Sequence, residues 1–280
     1  MSTVSSGKKQ KSSSLFRPNP VLSRLSKVED RSASDAVTYT GVAAKVSYFL
    51  LVTLAGLVAQ LVVMNTLSEP VWQSFSFLKK FTVSISKTEG IILIAVVLVG
   101  FICQLFAIFA RKTVPVTGTV YSAGQGYLIS FLVFKVLRGY EYIGLEALLL
   151  TAAVIAVMSW LYSSGTIKDN DKFRTVLLTL VLGSIGLALI SFIGTLIPVT
   201  RPYVQSIFGN PGVAIALDVF GIIIAALFLI SDFSMISTCV KEGYPREYEW
   251  SCAFGLVFTV IWIYLKILDL LMQLQGNSKD

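Results

Sequence analysis

The sequence contains no histidine and few charged side chains: Asp, Glu, Lys and Arg make up 14% of its 280 residues. Without histidine, the chain lacks the commonest metal ligand and the usual neutral-pH general base. Its three cysteines, Cys103, Cys239 and Cys252, have no CxxC spacing, and we interpret them as small apolar packing residues. No phosphate-binding loop, GxSxG or HExxH motif is present. We therefore predict that the protein is not an enzyme and has neither a cofactor nor a metal site.

Apolar residues are abundant instead: 55% of the chain is hydrophobic, and the mean hydropathy is +0.76. One core of this size cannot hide so much apolar surface from water, so a lipid bilayer is the expected surrounding. The net charge of +7 would suggest nucleic acid in a soluble protein. Here most basic residues lie in a tail and in loops, which favours membrane orientation and no nucleic-acid partner.

Seven apolar runs are each about long enough to cross a ~30 Å hydrocarbon layer. They span residues 42–64, 89–110, 117–137, 141–163, 174–197, 213–240 and 248–274. Backbone polar groups in lipid must be satisfied within the segment, so we predict helices. The predicted fold class is all-α, a seven-transmembrane-helix bundle over residues 42–274. A disordered, basic, Ser-rich tail (1–41) precedes it, and a short tail (275–280) follows it.

The distribution of Lys and Arg predicts the orientation of the bundle. With the N-terminus inside, 14 of them fall in inner segments and six in outer ones. Most of this bias comes from the tail. We predict a cytoplasmic N-terminus and, after seven crossings, an outside C-terminus. The tail itself is read as a solvated segment, with docking to anionic lipid or a partner as the alternative.

Ionisable residues within lipid are candidates for an ion pathway. The sequence suggests that the last two helices hold all the deep ones: Asp218 and Asp232 in the sixth, Lys266 and Asp269 in the seventh. Asp218 is expected near the outer interface, solvated. Lys266 and Asp269 are spaced i,i+3 and can neutralise each other, either as a local ion pair or as part of a polar path. A direct contact between Asp232 and Lys266 is left open, because antiparallel helices would separate them by about 10 Å in depth.

The third predicted helix carries a stripe of small residues. Gly118, Ser122, Gly126 and Ser130 recur at strict i,i+4 spacing, which favours close approach by another helix. Gln125 lies beside this stripe and needs a hydrogen-bond partner if it is buried. We interpret the stripe as a packing surface and Gln125 as a secondary polar candidate.

Several stretches resemble the bacterial branch of the Bax inhibitor-1/YccA-like membrane proteins. The C-terminal stretch from Lys241 to Leu271 is similar at Pro245, Trp250, Ala253 to Leu256, Trp262, Tyr264, Leu265, Ile267 and Leu268. Further similar segments are Thr151 to Phe173, the region of Tyr121 and Gly126, and RPNPVLSRL near the N-terminus. The resemblance implies a seven-helix bundle with a wrapped central helix, in the bacterial cytoplasmic membrane. It also implies either a pH-sensitive calcium leak, gated by acidic residues on helices six and seven, or binding to membrane proteases or cell-death proteins.

The chain departs from that pattern at its acidic positions. Asp232 matches the first acid, but Lys266 stands at the second and Gln125 replaces a glutamate; Ser234 and Ser237 stand where this branch often has further acids. A lysine favours the charged aspartate and opposes calcium, so we expect weak or absent calcium binding. Two hypotheses follow: a cation or proton leak gated between helices six and seven, or a non-conducting regulator that acts on a membrane-protein partner, namely a membrane protease or a quality-control protein. The sequence leaves the oligomeric state open.

Overall fold

A computed structural model describes residues 36–66, 70–77, 81–167 and 169–277. The helical body belongs to one compact unit, Val37–Asp280. The predicted tail lies outside the described residues up to residue 35. Its predicted end at residue 41 is too late, because helix already begins at Tyr39. The predicted C-terminal tail also begins too early, since the last helix continues to Asn277.

Seven long helices occupy the seven predicted positions in the described part of the chain. They are α1 (Tyr39–Thr66), α2 (Lys87–Phe109), α3 (Val114–Ser130), α4 (Tyr142–Ser163), α5 (Asp171–Leu196), α6 (Pro211–Lys241) and α7 (Tyr248–Asn277). A 3-10 turn, Arg111–Thr113, precedes α3, and a short helix, Arg201–Phe208, connects α5 to α6. Asn170 and Asn210 accept backbone hydrogen bonds at the starts of α5 and α6, which fixes where these helices begin.

Six of these helices, all but α3, are long and apolar enough to cross a membrane by length and composition. The α-helix of α3 has only 17 residues. It continues without a break into a π-helical segment of six residues, Phe131–Val136. The third predicted span is therefore helical throughout, but its last part is wound more widely than an α-helix.

A β-hairpin, which the all-α prediction missed, lies between α1 and α2. Strand β1 (Val71–Phe77) pairs antiparallel with β2 (Phe81–Ser86). On β2, Phe81, Val83 and Ile85 are buried while Ser84 is exposed, the alternation typical of a half-buried strand. The Phe81 ring packs edge-on against Tyr140, so the hairpin covers the turn between α3 and α4.

The small-residue stripe of α3 faces α1. A methyl group at Gly126 would lie 1.8 Å from the Thr53 carbonyl oxygen, and one at Gly56 would lie 2.0 Å from that of Ala123. Only glycine lets the two backbones approach this closely. At the end of the stripe the Ser130 hydroxyl donates to Gln60 Oε1 at 2.8 Å, with both side chains buried.

Helix α7 is the most deeply buried of the six candidate spans. In its most apolar stretch 44% of the residues are buried within the protein, compared with 6% for α5. Val257, Ile261, Ile263 and Leu268 of α7 lie in the hydrophobic core. Three polar side chains of α7, those of Glu249, Thr259 and Gln273, are also buried within the protein.

Candidate functional site

Helices α6 and α7 run antiparallel and bring together side chains that repeat every seven residues. Three contacts mark the register: Cys239 with Cys252, Asp232 with Thr259, and Asp218 with Gln273. From one contact to the next, the position falls by seven or fourteen on α6 and rises by the same number on α7. This spacing matches the repeat at which two packed helices keep the same faces together. We call this line of contacts, together with Lys266, the α6–α7 seam.

Asp218 is the best-coordinated carboxylate of the seam. Lys266 Nζ donates to Asp218 Oδ1 at 3.0 Å, and Gln273 Nε2 donates to Asp218 Oδ2. Asp218 is 3% exposed, so its expected place as a solvated residue at the interface is wrong. Antiparallel packing turns it inward, onto the polar face of α7.

Lys266 takes Asp218 as its ion-pair partner, not Asp269. The predicted i,i+3 pair on α7 is therefore absent as a direct contact among the described residues. Asp269 is half-buried and interacts electrostatically with both Asp218 and Lys266. The three charged residues and Gln273 form one group, which we call the Asp218 cluster.

Asp232 lies on the seam, apart from the Asp218 cluster. Asp232 contacts Thr259, whose hydroxyl donates to the Gly255 carbonyl oxygen at 3.1 Å, and Asp232 Oδ2 is buried without a hydrogen-bond partner. Gly255 faces it, since a methyl group there would lie 3.7 Å from Asp232 Oδ1. The contact left open by the sequence, Asp232 with Lys266, is not made. A seven-residue offset along the helices is about 10 Å, and Lys266 turns instead to Asp218.

A cavity of about 1160 Å³ lies beside the seam, among α2, α3, α5, α6 and α7. Its lining is largely apolar, but Gln125 of α3, Gln104 of α2 and Lys266 of α7 all border it. The stem of Lys266 runs along Gly221 of α6, where a methyl group would lie 3.2 Å from Cδ. The cavity therefore joins Gln125 to the Asp218 cluster, two sites that the sequence could not connect.

A further buried ion pair, which the prediction missed, joins Lys45 of α1 to Glu249 of α7. At the end of the bundle where α1 begins, Glu249 of α7 is fully buried. It accepts hydrogen bonds from the Thr38 backbone N–H at 3.0 Å and hydroxyl at 3.1 Å, and it forms an ion pair with Lys45. Gly41 leaves room for this carboxylate, because a methyl group there would lie 2.1 Å from it. Lys45 is the one charged residue in the apolar run 42–64, and this isolated charge was the sequence signal for a buried ion pair.

The loop between α6 and α7 completes this end of the bundle. The Val37 backbone N–H donates to the Tyr244 carbonyl oxygen at 2.8 Å, so the start of α1 is tied to the loop. Arg111 donates to the Tyr248 hydroxyl at 2.8 Å and lies over its ring. Burial and the neighbouring Glu242 raise the pKa of Tyr244 to about 12, so its side chain stays neutral at physiological pH.

A second missed pair joins Glu89 of α2 to Lys135 in the π-helical segment. Ser86 and Glu89 form a reciprocal cap at the start of α2, with the Glu89 side chain accepting from the Ser86 backbone N–H at 2.9 Å. Its other carboxylate oxygen accepts from Lys135. The Ser-x-x-Glu spacing before an apolar run was the sequence signal for this cap. Both carboxylate oxygens of Glu89 therefore have partners, and we assign this residue a structural role.

No group of three or more Cys, Asp or Glu side chains that could hold a metal ion occurs in the residues that the structure describes. Comparison with protein families matches residues 19–276 to the family described as Bax inhibitor 1 like. The match covers nearly the whole chain and contains almost all of the seven long helices. A comparison with curated proteins gives no match.

Proposed function

This chain belongs to the Bax inhibitor 1-like family of multi-pass membrane proteins, and we propose that it is a passive cation leak whose path follows the α6–α7 seam. The observation that carries the proposal is Asp232. It is half-buried between two apolar helices, and its Oδ2 atom is buried without a hydrogen-bond partner. Such a group is expensive in a membrane protein, and it marks a pathway more often than it serves packing.

The proposed leak needs a bundle that crosses the membrane seven times. In this proposal α3 and its π-helical extension form the crossing that length alone does not assign. The proposed orientation has the N-terminus in the cytoplasm and the C-terminus outside, which the bias of Lys and Arg supports. The hairpin then lies outside, and the end with Glu249 faces the cytoplasm. The membrane is proposed to be the bacterial cytoplasmic membrane.

Along the seam, polar groups follow one another from end to end. Starting at the cytoplasmic end, they are the two thiols, Asp232 with Thr259, and then the Asp218 cluster. The two steps between these groups are about 10 Å and about 20 Å long, a spacing that water molecules can bridge once the helices part slightly. The cavity bordered by Lys266 lies beside the longer step, between Asp232 and the Asp218 cluster, and can hold water there. We propose that Asp232 is the gate.

The charges favour a cation. Asp218, Asp232 and Asp269 outnumber Lys266, so the seam carries excess negative charge when the carboxylates are ionised. Calcium needs six to eight oxygen ligands, and a lysine beside the carboxylates opposes it. We therefore propose protons or monovalent cations as the conducted ions and expect calcium to bind weakly.

The test is ion flux through the purified, full-length protein in liposomes, measured for H⁺ and K⁺ at about pH 6 and about pH 8. Within the part of the chain that the structure describes, Asp232 lies near the Cys252 thiol and Thr259. If the charge of Asp232 sets the gate, the flux should change with pH. The Asp232→Asn variant keeps the size of the side chain and should conduct at a rate independent of pH.

The matched control is Glu247→Gln, which removes an exposed carboxylate in the loop before α7. It should retain both the flux and its pH dependence. Flux no higher than in protein-free liposomes, with the helical content intact by circular dichroism, would rule out the leak.

A second candidate is a non-conducting regulator that binds a membrane-protein partner. The hairpin favours it, because Val71 and Trp72 expose more than half of their surface. Replacing Val71 and Trp72 with serine separates the two candidates in cells. A regulator that binds its partner through the hairpin should lose its effect, whereas a leak along the seam should still conduct.

A further inference from the structure

The two cysteines at the cytoplasmic end of the proposed path face each other. Cys239 of α6 and Cys252 of α7 have their sulfur atoms 3.7 Å apart, and they are 1% and 8% exposed. From the sequence, both are predicted only to pack as small apolar residues, since their spacing matches no redox or metal motif. Their contact arises from the antiparallel register of the seam, which pairs position 239 with position 252. Cys103, the third cysteine, lies on α2 and outside this seam.

We propose that Cys239 and Cys252 form a peroxide-sensitive modification site, at which an intramolecular disulfide locks α6 to α7. The Cys252 thiol donates a hydrogen bond to the Cys239 sulfur, which favours Cys239 as the nucleophile. Cys239 gives up its proton and attacks one oxygen of hydrogen peroxide; it becomes a sulfenic acid, and the departing hydroxide takes up that proton and leaves as water. The Cys252 thiol then attacks the sulfenic sulfur, and its proton leaves with the hydroxyl group as a second water. In total, two thiols and one hydrogen peroxide give one disulfide and two waters, with the sulfurs oxidised and the peroxide reduced.

The geometry suits this bond. A disulfide needs the sulfurs at about 2.05 Å, so they must approach by less than 2 Å, a shift that side-chain rotation can supply. The two helices already hold the cysteines opposite each other in the seam, so no change of register is required. Cys239 is two residues from the end of α6 and Cys252 four residues from the start of α7. The pair therefore lies within about one helical turn of the connecting loop, a short path for a small oxidant.

In the proposed orientation the two thiols face the cytoplasm, where oxidation could regulate the leak. Thiols facing the cytoplasm are normally kept reduced, so the bond would form under oxidative stress and be reversed afterwards. It would fix one end of the seam, seven residues from the contact of Asp232 with Thr259. A gate that needs α6 and α7 to part would then be held closed. This regulatory step rests on the proposed leak, whereas the modification itself does not.

The first experiment detects the bond without reference to ion flux. The full-length protein in liposomes is treated with hydrogen peroxide, its remaining thiols are alkylated, and its peptides are analysed by mass spectrometry. We expect two of the three thiols to disappear, a linked peptide pair to join Cys239 with Cys252, and dithiothreitol to restore both thiols. Cys103→Ser should behave in the same way, and Cys252→Ser should form no intramolecular link. Links through Cys103, links between two chains, or sulfinic acids without a link would overturn the modification site.

The second experiment measures ion flux before and after oxidation. The oxidised protein should conduct several-fold more slowly than the reduced protein, and flux through Cys252→Ser should not respond to peroxide. Equal flux through the linked and reduced proteins would overturn the lock. If the link forms but neither state conducts, the proposed leak fails and the modification site stands.

Discussion

Replacing Gly126 with alanine is expected to force α3 away from α1 and to destabilise the folded protein severely. The added methyl group would lie 1.8 Å from the Thr53 carbonyl oxygen and 3.0 Å from the Leu57 backbone nitrogen. Both neighbours are main-chain atoms of α1, so no side chain can rotate to make room. Overpacking a core costs about 1–3 kcal/mol where side chains can adjust, and we expect at least the upper figure here.

Chemical unfolding of the protein in detergent micelles, followed by circular dichroism, measures this loss. The matched control is Gly183→Ala on the exposed face of α5, where an added methyl group meets no atom within 4 Å. Alanine is the better helix former, so the control should stay within about 1 kcal/mol of the wild type. Equal stability of the two variants would contradict the close approach of α1 and α3.

Replacing Lys266 with methionine is expected to destabilise the protein by about 3–5 kcal/mol, the penalty for leaving a buried carboxylate without its cation. Methionine keeps an unbranched stem along Gly221, so the loss should come from the charge. Asp218, 3% exposed, would keep Gln273 but lose the ammonium group 3.0 Å away. The same unfolding measurement detects the change.

A second substitution tests the cause of that loss. Asp218→Asn in the Lys266→Met background removes the unpaired charge and should restore most of the stability. Lys241→Met, at the exposed end of α6, is the matched control and should have little effect. If Lys266→Met is no more harmful than Lys241→Met, the ion pair with Asp218 does not stabilise the fold.

The positions of the helices could be read from the sequence because run length and hydropathy are local properties. All seven predicted runs are helical, and the errors at their ends amount to a few residues. The hairpin was missed because its alternation, Phe81, Val83 and Ile85 against Ser84, is short and lies between long apolar runs. The π-helical end of α3 could not be predicted either, because no hydrophobic periodicity in the sequence distinguishes it from an α-helix.

Which charged residues meet could not be read in the same way, because that depends on register between helices. Asp218 and Lys266 are 48 residues apart, and Lys45 and Glu249 are 204 apart. The seven-residue steps were nevertheless visible: Asp218, Asp232 and Cys239 on α6, then Cys252, Thr259, Lys266 and Gln273 on α7. If α6 and α7 are aligned antiparallel on these steps, Asp218 falls opposite Gln273, and Cys239 falls opposite Cys252. This alignment would have indicated both contacts.

Ion flux through Gly255→Leu tests the proposed path most directly, because this substitution fills the seam and leaves every charge in place. A methyl group at Gly255 makes only ordinary contact, at 3.7 Å from Asp232 Oδ1, so Gly255→Ala should fold and conduct like the wild type. The longer leucine should occupy the space beside Asp232 and block the flux in a protein that still folds. A folded Gly255→Leu protein that conducts as fast as the wild type would show that cations do not pass along the α6–α7 seam.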